Sequence, residues 1–241
     1  MRQWFALDQA PRLAYYLVFP WLVVGAVACG TRPAPLAPSG MPSLSRAEAE
    51  RWVSRRVPTR PARYELRWAL ETQQGSSRGR AAVQFAPPDS IRFDYRGPFG
   101  RSGAAVIVGD EVLWSRPAED VDRLIQTAPL FWAALGIPRY AASGAAVTGQ
   151  VEGETYRWRY AQQSDTLTYV LEERLGGRFR ADLRSGTDVI GTVDVAFADS
   201  TLQPASARLI FPPSASIVLF TVTAIDTLVT LDAGIWNLPS P

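Results

Sequence analysis

From residue 62 the chain settles into a two-residue rhythm. Tyr64, Leu66, Trp68 and Leu70 alternate with Arg63, Glu65, Arg67 and Glu71, the pattern of a strand with one face buried and the other in water. Residues 78–86 put Val83 and Phe85 on the apolar side, and residues 90–96 set Ile91, Phe93 and Tyr95 against Arg92, Asp94 and Arg96. The turn signals QQGSS and APPD between these runs predict antiparallel hairpins. Two more apolar runs within 104–115 flank Gly109-Asp110. The rhythm returns at Tyr156, Trp158 and Tyr160 and carries through 167–173, 177–184, 188–197, 205–211 and 216–232. The count is ten or eleven strands.

Helical spacing interrupts this pattern twice. Ser45-Arg46-Ala47-Glu48 has capping-box spacing, after which Ala49, Trp52, Val53 and Val57 share one helical face until Pro58. After Pro117, the acidic pair Glu119 and Asp120 opens a helix with Val121, Leu124, Ile125 and Ala128 in register. Residues 129–138, PLFWAALGIP, read as a second short helix closed by Gly136 and Pro138. So many antiparallel strands with one polar face either pair as a sandwich or curl into a barrel. The helices suit a curled sheet whose concave apolar side needs a cover. No internal repeat or shift of composition divides the folded part.

The first forty residues follow other rules. Residues 13–28, LAYYLVFPWLVVGAVA, form an apolar run preceded by Arg2 and Arg12. It falls short of the roughly 20 residues that span a bilayer, so 1–28 is expected to be a signal peptide. Ala26-Val27-Ala28-Cys29 looks like a bacterial lipobox with Cys29, the chain's one cysteine, as the lipidated residue. An ordinary secretory cleavage site at the same bond and an uncleaved membrane anchor are the alternatives. Residues 30–42, GTRPAPLAPSGMP, read as a proline-rich tether that spans up to about 40 Å at roughly 3 Å per residue. The folded domain is then 43–241.

Composition narrows the chemistry. The chain has 241 residues, 47% hydrophobic and 20% charged, with a net charge of +2 and no histidine. All its basic residues are arginines. Without histidine or lysine, no serine has an obvious activating base, most zinc sites are ruled out, and a phosphate loop lacks its lysine. Glu119 and Asp120 read as helix-start residues favoured by the macrodipole, and Glu172-Glu173 has no spacing suited to paired-carboxylate hydrolysis. No catalytic residue, metal, cofactor or nucleic-acid partner is expected, since acids are interspersed among the arginines with no concentrated basic stripe.

Two features remain. Aromatic weight on inward positions, including Trp68, Phe85, Phe93, Tyr95, Phe131, Trp132 and Trp158, fits either a packed core or the wall of a cavity for an apolar ligand. The stretch RGPFG, residues 96–100, bends a strand with a bare ring, Phe99, at the bend. Pro98 and Gly100 suit a tight turn that presents it.

The order of signal peptide, cysteine, tether and capped helix, then DSIRFDYRGPFGRSGAAVIVGDEVLWS and AEDVDRLIQTAPLFWAALGIP, resembles the LolB family of outer-membrane lipoprotein receptors, relatives of the periplasmic carrier LolA. The resemblance is best from about 60 to 140. It implies a mainly β, α+β fold: an incomplete antiparallel β-barrel with an N-terminal helix and a central helical lid over a hydrophobic cavity. It also implies a monomeric lipoprotein on the periplasmic face of a diderm outer membrane, which accepts acylated lipoproteins from a LolA-like carrier and inserts them into the bilayer. Pro98, Phe99 and Gly100 match that family's membrane-insertion turn. The acyl chains would lie against Trp68, Phe93, Tyr95, Phe131 and Leu135. A carrier or sensor of another lipid on the same scaffold, or a structural lipoprotein with a filled barrel, are the other readings.

Overall fold

The computed structural model describes residues 41–109, 111–117, 121–227 and 230–237, without the side chains of 121–126 and 233. The expected signal peptide, Cys29 and all of the tether but its last two residues lie outside these, as do Glu119 and Asp120. Leu36–Pro241 forms a compact unit of its own, and every strand, both helices and the core belong to it, which is what a domain needs to fold by itself.

Helix α1 (Arg46–Ser54) begins as its sequence dictates, with the Ser45 hydroxyl accepting from the Glu48 N–H at 3.2 Å. It buries Ala49, Trp52 and Val53. Five strands follow: β1 (Ala62–Thr72), β2 (Gly75–Ala86), β3 (Ser90–Arg96), β4 (Ser102–Val108) and β5 (Glu111–Arg116). Helix α2 (Val121–Ala134) separates them from β6 (Ala146–Glu152), β7 (Thr155–Gln162), β8 (Asp165–Glu172), β9 (Arg178–Ser185), β10 (Asp188–Phe197), β11 (Pro204–Phe211) and β12 (Ser216–Thr227). All twelve form one antiparallel sheet in the order β5-β4-β3-β2-β1-β12-β11-β10-β9-β8-β7-β6. The sheet does not close: β5 and β6 are its two edges. A bulge at Glu65/Leu66, where Thr223 is the extra residue on β12 and donates to the Glu65 carbonyl, bends the central pair.

Two expectations change in detail. The strands number twelve because β6 was not legible: its middle residue is Gly149, and a Cβ there would come within 2.8 Å of Leu44 and 3.1 Å of Trp52. The strand gives up its central apolar side chain so that α1 and its leading segment can lie close. Residues 42–44 also bond along it, with the Leu44 N–H donating to the Val147 carbonyl and the Gly149 N–H to the Pro42 carbonyl, which covers part of an otherwise bare edge.

The central helical pair is one helix. Pro129 denies a donor to the carbonyl of Ile125 and costs an interior helix about 3 kcal/mol, yet α2 runs on because Ala128, Leu130, Trp132, Ala133 and Ala134 are all buried. It ends in a left-handed glycine: Gly136 (φ +72°) donates to the Ala133 carbonyl and Ile137 to the Trp132 carbonyl.

Candidate functional site

The Pro98–Gly100 turn joins β3 to β4, and two backbone bonds fasten it, from the Gly97 N–H to the Arg101 carbonyl and from the Arg101 N–H to the Pro98 carbonyl. Phe99 sits at its apex, 99% exposed. Its backbone is left-handed (φ 57°, ψ 33°), a region that costs a bulky L-residue roughly 1–2 kcal/mol. Glycine or asparagine would be cheaper in both respects. The turn therefore carries two penalties, strain and a wet aromatic ring, that contribute nothing to folding.

Behind the turn, on the concave face, Trp68 and Tyr95 lie over glycines. A Cβ on Gly79 would come within 2.6 Å of the Trp68 ring, and one on Gly103 within 2.3 Å of Tyr95. The Trp68 indole N–H donates to the Arg80 carbonyl. From here rings follow one another toward the lid: Trp68 to Tyr95 at 6.2 Å, Tyr95 to Phe93 at 6.0 Å, Phe93 to Phe131 of α2 at 6.2 Å. All four are half-buried. Four of the five residues expected to line a cavity thus form one aromatic track from the turn to the helix. Phe220 of β12, 6.4 Å from Phe93, belongs to it as well. Its inward place could have been read from the alternation in β12.

Beyond this track the described side chains pack closely. A void of about 20 Å³ remains among Leu66, Phe93, Ile107, Phe131, Leu135 and Phe220, where ligand pockets run to roughly 300–1,000 Å³. Trp68 and Tyr95 do not line it. The lid itself fills the space. Trp132 is fully buried, edge-on to Phe85 at 6.1 Å, with its indole N–H donating to the Gly109 carbonyl at 3.1 Å and the Arg139 guanidinium 4.7 Å from its ring. Leu130 seats so tightly on β10 that a Cβ on Gly191 would meet it at 2.6 Å. As the lid, α2 packs into the core beside that small void.

Leu135 also faces a second space of about 300 Å³ at the far end of α2, lined by Arg56, Arg60, Tyr64, Ile137, Pro204 and Ile225 among others. Arg56 donates to the Leu202 carbonyl and lies 4.4 Å over Phe197, while its buried Nε has no partner. Burial lowers the Arg56 pKa and pushes the Tyr64 hydroxyl up to about 12. This mouth was not anticipated from sequence, because its residues come from four separate segments.

Two of the carboxylates set aside earlier are in ion pairs, Glu173 with Arg55 at 2.8 Å and Glu172 with Arg174 at 3.4 Å. Among the described residues no cluster of acidic or sulfur ligands could hold a metal ion, and no helix is long and apolar enough to cross a membrane.

No protein-family model matches the sequence, and no curated protein matches it. The architecture is similar to the crystal structure of a LolA-superfamily protein from Nitrosomonas europaea, with a TM-score of 0.50 and 9% identity over 78% of this chain and 95% of that one. Weaker likenesses reach a DUF1329 family protein from Desulfovibrio piger (TM-score 0.47, 9% identity, 80% and 95% covered) and a Vibrio parahaemolyticus domain assigned to outer membrane lipoprotein sorting (0.47, 7%, 79% and 95%). At such identities the likeness shows the fold alone. This chain has the LolA-like fold, an antiparallel sheet of twelve strands left unclosed around a central helix.

Proposed function

We propose that the chain is a LolB-like, lipid-anchored receptor that takes acylated lipoproteins from a periplasmic carrier and inserts them into the outer membrane. It is not an enzyme on this reading: covering and releasing hydrocarbon requires no bond chemistry. An acyl chain of about 16 carbons costs on the order of 12 kcal/mol in water, so cargo must be covered throughout its passage and handed down an affinity gradient. The observation that carries the reading is Phe99, fully exposed on a strained, doubly bonded turn. A ring entering the bilayer interface gains roughly 1.5–3 kcal/mol, which orients a tethered domain without trapping it. The aromatic track from the turn to α2 supports it as a path for acyl chains, with the plugged interior as the unloaded state.

Phe99→Glu tests this. The variant is expected to keep the parent's melting temperature and to fail in transferring a lipoprotein to vesicles. Normal transfer would rule out the assignment of the turn.

The mouth at Arg56 and Arg60 favours a second reading, a carrier of one anionic amphiphile, since about 300 Å³ suits a single small ligand better than several acyl chains. Native mass spectrometry separates the two. A retained phospholipid or glycolipid, with no affinity for acylated peptide, selects the second.

A further inference from the structure

Strand register assembles a charge pattern on the outer face of the sheet that the linear sequence conceals. Arg67 of β1 lies opposite Arg80 of β2, and Arg80 lies opposite Arg96 of β3. Three arginines thus occupy one row on adjacent strands, about 5 Å from one to the next. The row continues into Thr221 of β12 and Ser102 of β4, neither of them acidic. Arg78 stands on the same face, two residues before Arg80. All four arginines are exposed, and among the described residues none of the four has an ion-pair partner.

Of the carboxylates beside the row on that face, Glu65 is engaged by Arg63 and Asp94 by Arg92 at 2.8 Å, while Glu71 stands diagonal to Arg78 and outside the row of three. Like charges directly opposite across a ladder destabilise a sheet, so the row works against the fold. It also sits at the end of the sheet that carries the fingertip: Arg96 is three residues before Phe99, and a Cβ on Gly79, beside Arg80, would strike the Arg96 carbonyl.

We propose that this face is a docking surface for the anionic headgroups of a lipid bilayer, with Arg67, Arg80 and Arg96 on lipid phosphates while Phe99 enters the acyl boundary. The proposal rests on the reading of Phe99 as a membrane-contacting tip and adds the chemistry of the membrane it meets. Guanidinium groups pair with phosphate in a two-pronged fashion, and their long stems let them reach a surface from the side of a sheet. One inserted ring binds weakly and reversibly; a basic patch beside it adds electrostatic attraction to anionic headgroups and fixes the orientation of the tethered domain.

The test uses residues 36–241, which contain the whole folded unit, and vesicles of phosphatidylcholine alone or mixed with phosphatidylglycerol. The parent is expected to prefer the mixed vesicles and to lose that preference in high salt. Replacing Arg67, Arg80 and Arg96 together by Gln should weaken binding to the mixed vesicles about 100-fold, and Arg80→Gln alone about fivefold. Neither change should lower the melting temperature, because each relieves repulsion. A triple variant that binds like the parent overturns the proposal. So does a parent indifferent to phosphatidylglycerol, which would leave an acidic protein surface as the counterpart. Phe99→Ser separates the two readings. If it alone abolishes binding, to both vesicle types, the fingertip survives and the arginine surface falls; if only the arginine variants lose binding, the fingertip falls.

Discussion

Trp132→Ala probes whether α2 is the plug of the barrel. The indole is fully buried, packs edge-on to Phe85, bonds the Gly109 carbonyl and lies under Arg139. Truncating a buried tryptophan costs about 3–5 kcal/mol, and leaving the Gly109 carbonyl without its donor adds about 1 kcal/mol. The total, about 4–6 kcal/mol, is a large share of the 5–15 kcal/mol that holds a typical domain together. With a urea m-value of about 2–3 kcal/mol per molar, the unfolding midpoint should fall by about 2 M. An apolar hole left in a packed interior stays dry and takes small apolar molecules, so the variant should also gain binding of a fluorescent fatty-acid probe. Trp132→Phe should restore most of the stability and abolish the gain. A midpoint within a few tenths of a molar of the parent, with no new probe binding, would refute the view that this side chain fills the hollow.

Alkaline pH should unfold the protein through two tyrosines. Burial pushes the hydroxyls of Tyr64 and Tyr160 up to about 12 from 10.0, so the unfolded chain gives up these protons first. Stability is then complete below pH 10 and lost between about pH 10 and 12, by roughly 2–3 kcal/mol for each tyrosine; Tyr64→Phe should flatten half of that slope in pH-dependent melting curves. Gly149→Val should force α1 away from β6 and cost about 1–3 kcal/mol, seen as faster amide exchange across Arg46–Ser54 than in the parent; unchanged exchange would mean that the close approach is not needed.

Where alternation was strong, the sequence was easily read. Tyr64, Leu66 and Trp68 against Arg63, Glu65 and Arg67 announced β1, and RGPFG announced a turn with a ring at its apex. Failure came where one residue answered to a distant neighbour. Gly149 erased the rhythm of β6 because Leu44 and Trp52 need its space, and Pro129 read as a helix break because the burial that outweighs it comes from the sheet. The aromatic track was legible as inward residues but not as an order, and whether it opened on a hollow depended on where Trp132 pointed. The arginine row was the least visible. Arg67, Arg80 and Arg96 are more than a dozen residues apart, and along the chain they look like scattered charges with acids between them; only the pairing register lines them up.

The strand order has a mechanical consequence. Each strand is laced to its neighbours except at the outer edges of β5 and β6, and α2 packs against β5 near one edge and against β9, β10 and β11 in the other half of the sheet. Drawing the two halves of the sheet away from the helix would sever no ladder bond, so resistance comes from side chains such as Leu130 on β10 and Trp132 against Phe85 in their sockets. The molecule is in effect a clasp whose spring is the intact sheet and whose catch is a single helix, and the work needed to unfasten it is set by a handful of apolar contacts.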